Sequence, residues 1–353
     1  MIISRTPYRI SLFGGGTDFP GWYRRHGGSV IASTIDKYCY LSVRYYPPFF
    51  ENKYRVVWSK IENCTELSQI THPAVRAAIE HVEISRGLEV HHIGDLPARS
   101  GMGSSSAFTV GLLTALYALK GRMINKHDLA LEALHLEQNV LKEAVGSQDQ
   151  VSAAYGGLNK IDFLPNGEIS VHPITISPER IRELQSHLML FYTGIKRTSS
   201  DITQKFIDDL NGKKRQLRIM KDLVEESLQI LNSKQDIKQL GELLHEAWDT
   251  KRQFSTSVSN NDVDLIHTQA IEAGAIGGKL TGAGGGGFLM LFVPPEKQKE
   301  VKSALNRFVH VPFAFDFTGS QVIFASSEID YSSAEIGRIF QPIQEFRELT
   351  EMK

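Results

Sequence analysis

From Ser29 to Tyr46 the stretch SVIASTIDKYCYLSVRYY is rich in β-branched and aromatic residues with partial alternation, and Pro47 and Pro48 end it; this pattern predicts strands. Tyr54 to Ser59 reads as a further short strand, and His72 to Arg86 places Val75, Ala78, Ile79 and Val82 at the spacing of an amphipathic helix. LEVHHIGDLP returns to extended structure, after which the glycine- and serine-rich PARSGMGSSSAF runs directly into TVGLLTALYALKG, a helix-forming segment stopped at Gly121. A helix is predicted from about His127 to Glu143, with Leu134 and Leu141 on one side, and Gly146 separates it from a short helical piece, SQDQVSAAYGG. Leu158 to Leu164 completes this half as a strand.

The character changes after Pro178. A strand, HLMLFYTG, precedes three charged segments at helical spacing, Ser199 to Leu210, Lys213 to Leu231 and Ile237 to Phe254. A helix from Val263 to Ala273 leads into GGKLTGAGGGG, then a strand FLMLFV, an amphipathic helix from Glu296 to Phe308 and a last strand near Gln321 to Phe324. The alternation of strand, helix and strand predicts an α+β class, with a C-terminal α+β sandwich. The change of character puts a boundary near residues 170 to 186 and suggests domains at 1–175 and 186–340. No fixed-period repeat or low-complexity tract is present.

A chain of 353 residues with 41% hydrophobic and 22% charged residues suits two ordinary globular domains. Its 39 basic and 40 acidic residues nearly cancel, so no basic field exists to gather nucleic acid or an anionic membrane, and anions must be caught locally. The basic run Lys213, Lys214, Arg215 and Arg218 reads as a solvated helix face. Cys39 and Cys64 cannot build a disulfide framework and lie in no metal-binding array. Arg5 and Arg9 interrupt the apolar start, and no run reaches the ~20 apolar residues of a membrane helix. The expectation is a cytoplasmic protein with a small-molecule partner, without nucleic acid or membrane as partners, and with a homodimer as the candidate assembly.

Phosphate binding needs backbone N–H groups converging on an anion at a helix N-terminus. Gly101, Met102, Gly103, Ser104, Ser105 and Ser106 supply such a bend, although glycine and serine also cluster in any tight turn before a helix. A Walker A loop is excluded, because no Gly-Lys-Ser/Thr triplet follows either glycine cluster. Gly282, Gly284 and Gly287 match GxGxxG, but they precede a strand, the wrong order for a dinucleotide fold and an argument against a Rossmann oxidoreductase. In Phe13 to Asp18 the triple glycine permits close approach of a ligand, and Asp18 could accept hydrogen bonds from sugar hydroxyls. Alone, that segment also reads as a turn.

Taken in order, PYRISLFGGGTD, PARSGMGSSSAF and KLTGAGGGG resemble the three signatures of the GHMP kinases, the family of galactokinase, homoserine kinase, mevalonate kinase and phosphomevalonate kinase. The resemblance reaches to about residue 325. It implies a two-domain architecture, an N-terminal ribosomal protein S5 domain 2-like fold and a ferredoxin-like C-terminal domain with long helices, and a kinase using ATP and Mg²⁺. By the same resemblance Pro97, Ser100, Gly101, Met102, Gly103, Ser104, Ser105 and Ser106 bind ATP. Ser105 and Glu137 hold Mg²⁺, and Asp149, paired with Arg9, is the catalytic base. Asp149 also reads as a charge opening the QDQVSAAY helix, and Glu137 as one charge on a polar helix face. The resemblance extends substrate contacts to Gly15, Gly16, Thr17, Asp18, Gly284 and Gly285, while Lys196, Arg197 and Lys279 are candidate cations for a substrate phosphate. FGGGTDFPGW, GSQDQ and TGIKRTSSDI further resemble the bacterial branch that phosphorylates a heptose 7-phosphate at its anomeric hydroxyl, together with fucokinase-like relatives. The alternatives are an L-fucose-like or other aldose 1-kinase, or a catalytically silent sugar and ATP sensor.

Overall fold

The computed structural model describes residues 1–195, 199–255 and 258–327, with a few positions between 329 and 336. The first half runs β1 (Ile2–Phe13), α1 (Pro20–His26), β2 (Gly28–Tyr45), β3 (Tyr54–Val57), β4 (Ile61–Cys64), α2 (Pro73–His81), β5 (Leu88–Gly94), α3 (Ser104–Leu119), α4 (Lys126–Leu134), α5 (Gln148–Tyr155), β6 (Leu158–Phe163) and β7 (Ile169–Pro173). The second runs α6 (Pro178–His187), β8 (Leu188–Tyr192), α7 (Ser199–Asp208), α8 (Lys214–Leu231), α9 (Lys238–Arg252), α10 (Asn261–Glu272), β9 (Gly277–Leu280), β10 (Phe288–Phe292), α11 (Gln298–Ala304), β11 (Val309–His310), β12 (Phe315–Asp316) and β13 (Gln321–Ala325).

Among the described residues, the first sheet has the order β13-β1-β2-β5-β3-β4, with β6 and β12 joining β2 and β7 joining β6. Its scaffold is β2, a single strand of 18 residues. The β-branched and aromatic run allows this length, because one end of β2 pairs with β6 and the other with β5 while β1 follows it along the opposite edge. The second sheet has the order β11-β8-β10-β9 and is antiparallel throughout. Helices α8 and α9 pack on each other, and both reach β1 of the first sheet while α9 also covers β9 and β10. Their apolar stripes, including Leu217, Met220, Leu223 and Val224 of α8 and Leu240, Leu244 and Trp248 of α9, are buried, so the two halves share a core.

Several elements depart from the sequence expectations. β1 has no legible alternation because its polar residues Ser4, Thr6, Arg9 and Ser11 are buried along with the apolar ones. The helix expected from His127 to Glu143 stops as α at Leu134 and continues as a π-helical turn, His135–Val140; such turns recur at functional sites. α2 ends at His81, and Glu83 beyond it is left-handed. The last strand, β13, does not belong to a C-terminal sandwich: it pairs with β1, while β12 pairs with β2. Hydrogen bonding across so long a separation leaves no mark in local periodicity.

Helix α3 is apolar nearly all round and lies on β1 and β2, as expected of a helix buried on every side. A Cβ placed at Gly111 would come within 2.7 Å of Thr6 Oγ1 and 3.2 Å of Leu41 Cδ1, so the helix sits as near the sheet as a glycine permits. Gly111→Ala gains roughly 1 kcal/mol of helix propensity but forces overpacking that costs about 1–3 kcal/mol. The expected net result is a destabilisation of about 1 kcal/mol, visible as a lower urea midpoint at unchanged m-value; a raised midpoint would show that the helix can lift off the sheet.

Candidate active site

The three glycine-bearing motifs converge on one cleft of about 740 Å³. Arg9, Gly15, Gly16 and Asp18 enter from the first motif, Gly101 and Gly103–Ser106 from the second, and Lys279 and Gly282 from the third. The segment Leu141–Gly146, together with Gln148 and Asp149, forms a further wall.

Gly103 caps α3 from the left-handed region, at φ 71°, and supplies no side chain to cap the helix. The first-turn amides therefore remain available at the positive end of the helix dipole, the arrangement that receives anions. Arg99 N–H donates to Ser104 Oγ (3.2 Å), and the Ser100 carbonyl accepts from Phe288 N–H (3.2 Å). That second bond ties the bend to β10, immediately after the third glycine motif.

In β1 the pairing with β2 shifts register between Pro7 and Arg9, and an irregularity of this kind re-aims the side chain that follows it. Arg9 is 3% exposed. Its Nε and Nη2 donate to the two oxygens of Asp149 at 2.7 and 2.6 Å, and Nη1 donates to the Gly101 carbonyl at 2.8 Å. The Arg9 backbone N–H adds a bond to the Met102 carbonyl (3.1 Å). Asp149 lies in the first turn of α5, the expected place of a helix-opening charge, and it carries the fork-to-fork pair with Arg9.

Asp18 is buried and already engaged: Oδ1 accepts from Gly16 N–H (3.0 Å) and Oδ2 from Gln148 N–H (3.2 Å). Burial, and next the charge of Asp149, push its carboxyl above the ordinary range. It staples the first motif to the turn before Asp149. A Cβ on Gly146 would lie 2.0 Å from Asp18 Oδ2, so that turn closes only around a glycine.

Glu137 projects inward from the π turn and is fully buried. Its Oε2 accepts from Ser106 Oγ (2.9 Å) and from Gln150 Nε2. Its Oε1 is buried without a hydrogen-bond partner, since the nearby Thr109 hydroxyl donates to the Ser105 carbonyl (3.3 Å). Burial raises the Glu137 carboxyl to about 7. Ser105, expected beside Glu137, is exposed, and the serine that meets this carboxylate is Ser106; at the start of a helix, neighbouring residues diverge by about 100°. An anionic oxygen with no donor suits a divalent cation with oxygen ligands.

Other expected positions fall outside the cleft wall. The Thr17 hydroxyl is used internally, donating to the carbonyls of Gly14 (2.8 Å) and Ser29 (2.9 Å). The Met102 side chain is in the core and Pro97 is exposed away from the cleft. Ser100 is buried behind the bend. Gly285 N–H donates to the Val258 carbonyl (2.7 Å) and Gly284 packs against that same oxygen, so both shape the third loop from behind. Lys196 and Arg197 lie outside the described residues. Lys251, not anticipated from sequence, lines the cleft and donates through Nζ to the carbonyls of Leu280 (3.0 Å) and Gly282 (2.5 Å). Its position one face away from the charged side of α9 was the available signal. Beyond the bend, Trp58, His72, His92 and Phe108 form an aromatic group, with the His72 and Phe108 rings stacked at 4.7 Å; these residues are scattered in sequence and carry no motif.

Residues 69–157 match the GHMP kinases N terminal domain and residues 219–311 the GHMP kinases C terminal domain. The chain is 29% identical, over 90% of its length and 96% of the relative's, to the D-glycero-alpha-D-manno-heptose 7-phosphate kinase of Campylobacter jejuni. It is 31% identical to the mevalonate kinase of Methanothermobacter thermautotrophicus over 64% of this chain and 73% of that one. Among solved structures, a D-glycero-D-manno-heptose 1-phosphate kinase from Bacteriodes thetaiotaomicron superposes with a TM-score of 0.76 at 25% identity, covering 93% of this chain and all of that one. A buried Arg–Asp fork facing a serine-bearing helix N-terminus, in an α+β chain of two sheets, thus sits within a family match over both halves: the chain belongs to the GHMP kinases. It is an enzyme of the phosphotransferase class with a hydroxyl acceptor. Among the described residues no helix is long and apolar enough to cross a membrane.

Lys279 is 3% exposed and makes no salt bridge among the described residues. Burial, and then the charge of Arg9, lower its ammonium to about 7. Between about pH 7 and 10.5 the folded chain therefore binds fewer protons than the unfolded one, so this residue makes stability rise with pH across that window. Urea midpoints of the ligand-free protein should show that rise in wild type, and Lys279→Met should flatten it. Parallel pH profiles for the two proteins would place the ammonium in contact with solvent or with an acid.

Proposed function

We propose that this kinase transfers the γ-phosphoryl group of ATP to the anomeric hydroxyl of D-glycero-D-manno-heptose 7-phosphate, forming the 1,7-bisphosphate. The observation that carries the reading is the Arg9–Asp149 pair held against the Gly101 carbonyl at the mouth of the α3 bend. It sets a carboxylate for the acceptor beside amides for the donor. The acceptor class is supported by the likeness to the Campylobacter jejuni enzyme, which extends over nearly all of both chains.

Phosphoryl transfer requires in-line positioning and positive charge around the migrating group, with little covalent work by the protein. The amides of Gly101–Ser106 receive the triphosphate, and the aromatic group around His72 and Phe108 offers a stacking surface for the base. Glu137, through its unpartnered Oε1, and Ser106 hold Mg²⁺; Ser105 is exposed at the same turn, open to the phosphates. When bound, Mg²⁺ neutralises charge on the phosphate oxygens. The Arg9 fork fixes the Asp149 carboxylate, which orients the acceptor hydroxyl and takes its proton as the new O–P bond forms and the bond to the ADP leaving group breaks. Gly15 and Gly16 leave room for the sugar, and Asp18 acts through the turn it staples. Lys279 receives the substrate phosphate, a role the sequence also offers to Lys196 and Arg197.

Coupled ADP-release assays with Mg²⁺ should show turnover on the 7-phosphorylated heptose and none on free heptose, L-fucose or galactose. The reverse preference would overturn the acceptor assignment, and ATP binding without turnover on any sugar phosphate would favour a silent sensor. Asp149→Asn should lower kcat by at least about a hundredfold while an ATP analogue binds within roughly threefold of wild type. Equal loss of both, with a lowered melting temperature, would make Asp149 structural.

A further inference from the structure

Glu143 has no role in the chemistry above, yet its environment is unusual for a surface-loop glutamate. It lines the cleft wall formed by Leu141–Gly146, half-buried. Its backbone N–H donates to the Glu137 carbonyl (2.8 Å), so the two glutamates leave the same turn of chain where the π-helical segment ends. The turn is pinned from below by Gln138, whose Nε2 reaches the Val145 and Gly146 carbonyls and Ser147 Oγ at 3.4, 3.4 and 3.1 Å.

Among the described residues the Glu143 carboxylate has neither a salt bridge nor a hydrogen bond. Lys142 beside it is exposed and held at φ 54°, while Arg9 is committed to Asp149. Glu137 stands within its field with one oxygen, Oε1, buried and unpartnered. Two carboxylates on one turn, Glu137 fully buried and Glu143 half-buried, with neither paired to a cation among the described residues, disfavour one another's charge. A protein gains nothing from that arrangement unless something positive enters. An apolar or amide residue at either position would relieve it.

We propose that Glu143 is a second carboxylate ligand of the divalent cation, closing with Glu137 and Ser106 an oxygen-donor site that opens onto the nucleotide phosphates. The inference rests on the metal reading of Glu137 given above. A hard cation keeps several waters and accepts one or two carboxylates beside nucleotide oxygens, which this donor set provides. Glu143 then contributes charge that Glu137 alone, fixed by Ser106 and Gln150, cannot supply.

The test is Mn²⁺ binding to the full chain in the presence of ADP, followed by the electron paramagnetic resonance signal of free Mn²⁺. Glu143→Gln should weaken Mn²⁺ binding about tenfold, and Glu143→Asp, which keeps the charge on a shorter arm, should recover part of that loss; melting temperatures establish that each variant folds. Unchanged Mn²⁺ affinity in Glu143→Gln overturns the proposal, and if the sugar KM alone rises, Glu143 belongs to the acceptor. Absence of Mn²⁺ binding by wild type also overturns it, whereas the kinase reading is judged separately by ADP release on the sugar phosphate.

Discussion

The guanidinium of Arg9 is the joint on which the site is assembled. From one side chain it grips the two oxygens of Asp149 and the carbonyl of Gly101, while its own backbone N–H reaches Met102. Three segments far apart in sequence, β1, the serine-bearing bend and the start of α5, are thereby set at fixed distances. A lysine could not substitute, because the fork geometry matches a carboxylate and leaves a third donor for the bend. Burial of the guanidinium gives the pair its weight: removing Asp149 would leave Arg9 charged and shut away from most water.

Around that joint, charge is arranged by sign. Arg9, Lys251 and Lys279 line the cleft on one side, while Asp18 of the first motif and Glu143 of the segment before α5 line it on another, with Glu137 of the π turn buried behind them. Three of these groups are engaged by backbone atoms: Arg9 holds one carbonyl, Lys251 holds two, and Asp18 holds two amides. Of these groups, Lys279 and Glu143 have no salt bridge or side-chain hydrogen bond among the described residues, and Glu137 keeps one oxygen unpartnered; a phosphorylated substrate and its cation would complete them. Shape and electrostatics therefore agree about where the reactants belong.

Much of this could be read from the chain before its structure. The serine-bearing bend, the helix it opens and the long helices of the second half follow from composition and periodicity, and the Arg9–Asp149 pairing from the family resemblance. What escaped did so for definable reasons. Whether Ser105 or Ser106 faces Glu137 depends on helical phase at a left-handed cap, a rotation that one-dimensional spacing does not encode. Thr17 carries a hydroxyl suited to a sugar, but the turn uses it internally, an outcome visible only once Ser29 is beside it. β1 escaped because its buried face includes serine, threonine and arginine, so hydropathy alternation vanishes. Lys251 looked like one more charge on a long polar helix until the third loop folded over it.

The neighbour of β1 on its outer side is β13, and the amino group of Met1 reaches Ser326 across a separation of 325 residues. The outer edge of β1 is thus unable to complete its hydrogen bonding until β13, far along the chain, is in place. Contacts so distant in sequence are slow to form because the intervening chain must first be brought together. Since β1 carries Arg9, the joint that holds Asp149 and the bend rests on a strand whose outer edge is closed only by β13.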